Sequence, residues 1–262
     1  MAEASKRSSW ARRLTLAAAL VCFGSVAAAF VGAVGSGQEW WHFRIGFKIL
    51  EYAFYAAAAG AVLALAAIFL SRRGAPRLVL VNLAALVVAL GYLFYLGSQV
   101  RTARSVVALH DITTNLDDNP GFSRLPIRED NLANLPVKER PDLQRLEPGE
   151  QWKALHREHY PDLRTVRVPW TVEETVRRAE ALARDRGWEV VAAAPAEGLV
   201  EAVETSRFFR FKDNVVVRVR PLPSGTGSMV DMRSISRVGG SDVGVNARRI
   251  RSFLADLQAY GP

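Results

Sequence analysis

The sequence predicts three transmembrane helices followed by one α+β soluble domain, in which a strand, a helix, four strands and a final helix form an antiparallel sheet. Three observations lead there. Long apolar runs fill residues 14–97, basic residues gather on alternate sides of those runs, and the pattern changes to short alternating strands and capped amphipathic helices after Arg164.

The apolar runs are Leu14 to Val34, Phe47 to Leu70 and Leu78 to Leu96. At about 1.5 Å per residue each is long enough to cross a hydrocarbon core of roughly 30 Å. None of them holds a Lys or Arg after Lys48, and Glu51 and Asn82 are their other strongly polar residues, both near a span end, where they suit interfacial or interhelical hydrogen bonds. Ala56, Gly60 and Ala64 give small residues every fourth position in the second run, a spacing that lets helices approach closely. Small residues at Ala33, Gly35 and Ser36 would suit cleavage of the first run as a signal peptide, but the run is long for one.

Charge sets the orientation. Lys6, Arg7, Arg12 and Arg13 precede the first run and Arg72, Arg73 and Arg77 fill the second loop, against Arg44 and Lys48 in the first loop. Basic residues mark the cytoplasmic side, so residues 1–13 are expected in the cytoplasm and the C-terminal domain in the periplasm of a multi-pass inner-membrane protein. Trp40, Trp41 and Phe43 suit an aromatic anchor at the outer interface. The net charge of +8 does not point to nucleic acid, because residues from Ser98 onward hold 25 basic and 23 acidic side chains. Cys22, the one cysteine, lies in the first run, so no intrachain disulfide can form.

Residues 98–163 hold six of the twelve prolines and little periodicity, so an extended segment is expected there, with at most a short helix near Glu150 to Glu158. The α+β domain is expected over 164–262. Arg164 to Val168 reads as a strand. Thr171 then caps a helix running to Arg186, with Glu174 three residues on, Val172, Val176, Ala179 and Leu182 or Ala183 on one face, and Gly187 as its stop. Strands follow at Trp188 to Ala193, Gly198 to about Phe211, Val215 to Leu222 and Ser228 to Val238. Turn chemistry separates them at Pro195 to Gly198, Lys212-Asp213-Asn214 and Pro223 to Gly227. Val243 to Tyr260 closes the domain as an amphipathic helix. This order is similar to the helix-grip arrangement, in which a sheet curves around a C-terminal helix and an apolar ligand often sits between them.

The segment from Asp231 to Arg251 is dense in polar and glycine residues where a strand end turns into a helix. Arg233, Arg237, Ser241, Asp242, Asn246 and Arg248, with His110 and Asp111, are candidates for an anion or ligand site, since a helix start offers free N–H groups. A structural role competes: Asp242 or Ser241 would cap the helix and repel an anion, Gly239 and Gly240 would make the turn, and Asp231 would pair with Arg218 or Arg220.

Arg233-Ser234-Ile235-Ser236-Arg237 through Asn246-Ala247-Arg248-Arg249-Ile250, together with His110-Asp111-Ile112-Thr113-Thr114-Asn115 and Tyr160-Pro161-Asp162, resembles a bacterial and plastid family. That family is known as domain of unknown function 1499, and the likeness covers about residues 105 to 258. Asn115 stands where the family more usually has an acidic residue. The resemblance implies a domain boundary and no chemistry.

His156 and His159 could be half of a zinc site, but no cysteine lies beyond the spans and His110 is the only other histidine there, so no metal is expected. His110-Asp111 with Asp117 and Asp118 lacks the spacing of a calcium loop. No Walker loop, dinucleotide fingerprint, H-E-x-x-H or serine elbow occurs, so no cofactor is expected. The sequence therefore suggests a non-enzymatic envelope protein, with the lipid bilayer and a lipid-like ligand or an envelope protein as partners. An envelope hydrolase or transferase using Asp231, Asp242, His110 and nearby arginines is the alternative, and a structural scaffold in envelope assembly is a third.

Overall fold

The computed structural model describes residues 2–72 and 74–259, leaving aside the side chains of residues 2–8. Arg73 of the basic second loop and Tyr260 of the expected last helix lie outside the described residues, as do the Lys6 and Arg7 side chains. The chain divides into two compact units, one of residues up to Thr102 with Arg207–Arg210, the other of Ala103–Ser206 and Phe211 onward.

The first unit is built from helices α1 (Ala2–Gly37), α2 (Phe43–Ser71) and α3 (Pro76–Ser105). Segments Ser9–Gly37, Phe43–Ser71 and Pro76–Ser105 are each long and apolar enough to cross a membrane. All three outrun the expected apolar runs, because a helix continues until its backbone finds a cap or a break. Phe43 follows His42, whose Nδ1 accepts from the Arg44 N–H, and Pro76 opens α3 at a position where its missing donor costs nothing.

α1 and α2 meet along small residues. Ala53, Ala57, Gly60, Ala64 and Ala67 are buried on α2, and a methyl group added at Gly60 would lie 2.8 Å from Cys22 Sγ. Ala56 is only half-buried, so the contact stripe runs through its neighbour Ala57. α3 joins through polar bonds as well as alanines: Asn82 donates to Thr15 Oγ1 at 2.9 Å, and Tyr92 donates to the Leu50 carbonyl at 2.9 Å. Interhelical bonds of this kind hold helices where lipid removes the hydrophobic drive between them.

The second unit is an α+β domain around an open antiparallel sheet. Its elements are β1 (Asp111–Thr113), α4 (Pro148–His159), β2 (Val166–Val168), α5 (Val172–Asp185), β3 (Glu189–Ala194), β4 (Leu199–Thr205), β5 (Lys212–Pro221), β6 (Ser228–Ser236) and α6 (Val245–Ala259). The strand order is β1-β6-β5-β4-β3, and β2 also pairs with β6. β1 and β2 lie end to end along β6, with Ile112 opposite Ser234 and Arg167 opposite Met229. From β2 to α6 the order strand, helix, four strands, helix is the expected one.

Three local features differ from the sequence reading. β1 lies inside the stretch expected to be extended, because three residues are too few for a periodic signal and their strand form comes from pairing with β6. The β4–β5 reversal falls at Ser206–Phe211, with Arg210 at φ 57°, and not at Lys212-Asp213-Asn214. Those turn-type residues are strand residues here because their side chains have distant partners: Asp213 accepts from Arg249, and Asn214 donates to the Pro126 carbonyl. Lastly, α6 starts at Val245 instead of Val243, since Val243 and Gly244 take φ of 55° and 72° while Asp242 binds the N–H groups that follow.

Alternation along the strands gives the sheet two unlike faces. On one, Val200, Val215, Val217, Val230 and Met232 pack against Val176 and Ala179 of α5 and Ile250, Phe253 and Leu257 of α6. Trp188 stacks on Phe253 with ring centroids 5.1 Å apart. These side chains are buried in one continuous core, so the space between sheet and helices is filled. The other face carries Glu201, Asp231, Arg233 and Arg218, all in register across β4, β5 and β6.

Candidate functional site

The charged face is covered by the proline-rich segment that follows β1. Glu201, fully buried, accepts from the backbone N–H groups of Ser123, Arg124 and Leu125 and from Ser123 Oγ at 2.7 Å. Donors folded around a carboxylate in this way meet the cost of burying its charge. Asp231, also fully buried, accepts from Arg218 at 2.9 Å, Arg220 at 2.8 Å and Thr165 at 2.5 Å, with Thr114 and Asn115 at 3.4 Å. Asp118 lies across the same arginines, and the Arg218 guanidinium holds its carboxyl below the usual range.

Two of the sequence-derived candidates meet on this face. Arg233 forms a two-pronged pair with Asp111, and its Nη1 also donates to the Pro120 carbonyl. Asn131 donates to the same Asp111 carboxylate at 2.6 Å. Arg237 lies nearby along the strand and donates through Nε to Asn214 at 2.7 Å.

Other candidates gather at the seam between β6 and α6. Asp242 accepts from Gly244 and Asn246 N–H at 2.7 and 2.8 Å, and burial pushes its carboxyl pKa up. Ser241 Oγ accepts from the Val243 N–H. Asn246, fully buried, accepts from Ser234 Oγ and donates to the His110 carbonyl and Ser236 Oγ, both at 3.0 Å. Arg249, adjacent to the named candidates, ties the seam to Ser234, Glu204 and Asp213. Arg248 is exposed and donates to the Val243 carbonyl. The His110 ring is buried, with Nε2 unpartnered among the described residues.

A cleft of about 520 Å³ shares Thr114, Asn115 and Thr165 with the Asp231 cluster, and is lined by residues 114–117 after β1, by His156 and Arg157 of α4, and by Tyr160, Pro161 and residues 163–165. Trp152, His156 and Tyr160 follow one another at every fourth position, their rings edge to face with centroids 5.7 and 5.5 Å apart. The Thr113 N–H donates to His156 Nε2 at 3.2 Å. Burial lowers the His156 pKa from 6.5 to about 4, so the ring is neutral and its proton sits on Nδ1. Nδ1 and the Tyr160 hydroxyl are both buried and unpartnered among the described residues. Burial also lifts the Tyr160 pKa to about 12, which keeps the phenol protonated. His159, the other half of the imagined zinc pair, turns Nδ1 to the Leu155 carbonyl. The sequence signal for this cleft is the i, i+4 spacing of Trp152, His156 and Tyr160, which differs from the i, i+3 spacing of the His156 and His159 pair.

An open sheet with helices on one face and a charged, strapped layer on the other defines an α+β domain, here preceded by three helices fit to span a membrane. Residues 111–257 match the model of the family described as "Protein of unknown function (DUF1499)", more than half of the chain, and the chain belongs to that family. A comparison with curated proteins finds no match.

Proposed function

We propose that this is an inner-membrane protein whose C-terminal domain lies in the periplasm and works as a ligand-binding module, with the ligand held in the cleft between the segment after β1 and α4. Seven basic residues against two on alternate sides of the apolar runs support the orientation. The observation that carries the binding reading is the cleft itself, about 520 Å³ and lined by the buried His156 and Tyr160, each with an unused polar atom. Buried polar atoms are ordinarily paired, so two orphans on side chains that line one concavity favour a ligand there.

The filled core removes the reason to look for an apolar ligand between sheet and α6, where the helix-grip likeness would put it. The hydrolase alternative loses support because its groups are otherwise engaged. Asp231 lies under two arginines, Asp242 holds the start of α6, and the buried His110 shares neither set of bonds through its ring. Arg233, Arg237, Ser241, Asp242, Asn246 and Arg248 with Asp111 are read as holding the sheet, its strap and α6 together.

Two measurements test the proposal. Mass spectrometry of the full chain purified from native membranes should find a small molecule retained in about equal amount with the protein; none retained would count against a binding module. With Cys22 replaced by Ser, a cysteine at Ser224 should react with a membrane-impermeant maleimide added to intact spheroplasts. Reaction only after lysis would reverse the orientation.

A further inference from the structure

The lining of the cleft also specifies the chemistry of what enters it. His156 Nε2 is already taken by the Thr113 N–H, so the ring's other nitrogen, Nδ1, is a buried donor and the ring has no acceptor to spare. The Tyr160 hydroxyl is a second donor with no partner among the described residues. Arg157 and Arg164 bring positive charge to the mouth, and both are exposed. Arg164 spends its Nε on the Pro161 carbonyl. Arg157 pairs with Asp117, the one carboxylate on the lining, at 3.0 Å, with both side chains more than half exposed. An exposed pair of this kind is worth roughly 0–1 kcal/mol, so an entering anion can take Arg157 from Asp117 at little cost. The threonine and asparagine hydrogen-bonding groups behind, Thr114, Asn115 and Thr165, already donate to Asp231. Leu116, Pro161 and Leu163 complete the lining with apolar surface.

Resting on the binding reading above, we infer that the cleft takes an amphiphilic acid: a carboxylate or phosphate oxygen accepts from His156 Nδ1–H and Tyr160 O–H, the arginines balance its charge, and its apolar part lies on Leu116, Pro161 and Leu163. A neutral imidazole suits this position, since it donates without needing a carboxylate partner of its own. The volume exceeds what the acid group alone requires and lies in the range of sites for small organic ligands. The same chemistry describes a lipid headgroup and a free organic acid.

The test uses the full chain in nanodiscs of zwitterionic lipid, with hexyl phosphate, hexanol and inorganic phosphate as probes. Hexyl phosphate should bind saturably and raise the unfolding temperature, inorganic phosphate should compete weakly, and hexanol should do neither. Tyr160→Phe removes one oxygen from an otherwise unchanged ring and should weaken hexyl phosphate binding roughly tenfold, the worth of one hydrogen bond to a charged group. Should that variant fail to fold, the exposed Arg164→Gln takes its place, with weaker binding and a shallower dependence on salt expected. Equal binding of hexanol, or unchanged affinity in the variants, overturns the inference. Mass spectrometry of lipid and aqueous extracts of the purified chain separates the sources: an enriched acidic lipid means a headgroup, an enriched water-soluble acid means a free ligand. A retained neutral molecule overturns the acid assignment and leaves the binding module standing, whereas no retained molecule and no hexyl phosphate binding overturn both.

Discussion

The Arg233 guanidinium meets the Asp111 carboxylate along two parallel bonds, Nε to Oδ1 at 2.9 Å and Nη2 to Oδ2 at 2.7 Å, with both side chains nearly out of reach of water. The pair joins β1 to the β6 edge across the sheet register, where Thr113 faces Arg233 and Asp111 faces Ile235. Arg233→Lys keeps the charge and loses the fork. Breaking a buried pair costs about 3–5 kcal/mol when one partner is removed, and lysine should recover only part of that, leaving a loss of about 2–3 kcal/mol. Urea unfolding of the variant beside the parent checks it.

Glu201 pins the strap to the charged face. In Glu201→Gln one acceptor oxygen becomes an N–H₂ facing the backbone donors of Ser123, Arg124 and Leu125. A loss of about 2–3 kcal/mol is expected, together with faster amide exchange confined first to residues 123–125. Exchange that rises evenly through the sheet would show that the carboxylate does not act on this segment.

Acid should weaken the domain through His156. Its pKa is depressed in the fold from 6.5 to about 4, so the unfolded chain takes up a proton in that interval and the folded one does not. Stability is therefore full above pH 6.5 and falls as pH drops toward 4, by up to about 3 kcal/mol. Asp162, lowered by Arg251, acts in the same direction below pH 3.8, and Asp242, raised by burial, acts in the opposite one. His156→Gln leaves Asp242 and the main cause at Asp162, its Arg251 partner, in place, so the variant's stability should be flatter than the parent's between pH 6.5 and 4. Parallel curves would contradict the neutral, buried imidazole.

Within the membrane section, Gly60→Val should force α1 from α2, since even a Cβ there comes within 2.8 Å of Cys22 Sγ and 3.0 Å of Val21. Cys22, fully buried in the parent, should then react with a membrane-permeant maleimide. Unchanged protection would mean that the helices accommodate the larger side chain.

Much of the architecture was legible because it rests on repeated local signals. Apolar runs marked the three helices, Thr171 marked the start of α5 and accepts from the Glu174 N–H as a cap should, and Asp231 found both expected arginines. What escaped was decided at long range. β1 is a strand only because β6 lies beside it, and Asp213 and Asn214 are kept out of a turn by Arg249 and the Pro126 carbonyl, more than 30 residues away in each case. Glu201 gave no sign of its nest, since an acidic residue in a strand reads as solvent-facing until the covering segment is known. The cleft was hidden for a related reason: His156 and Tyr160 become notable only once both are known to line one cleft, each with a buried polar atom that has no partner among the described residues.

On the proposed reading, the Asp231–Arg251 segment holds the fold and the His156–Tyr160 cleft holds a ligand. The most direct test is hexyl phosphate affinity and unfolding midpoint measured together for the full chain, Asn246→Ala and Tyr160→Phe. Asn246→Ala leaves the buried Ser234 O–H without its acceptor and takes one of two donors from the His110 carbonyl, which keeps the Ser236 N–H, so its midpoint should fall by the equivalent of about 2 kcal/mol with affinity retained. Tyr160→Phe should lose affinity roughly tenfold with its midpoint nearly unchanged. Lost affinity in Asn246→Ala, with Tyr160→Phe binding as the parent does, would contradict the account and return the binding site to the start of α6.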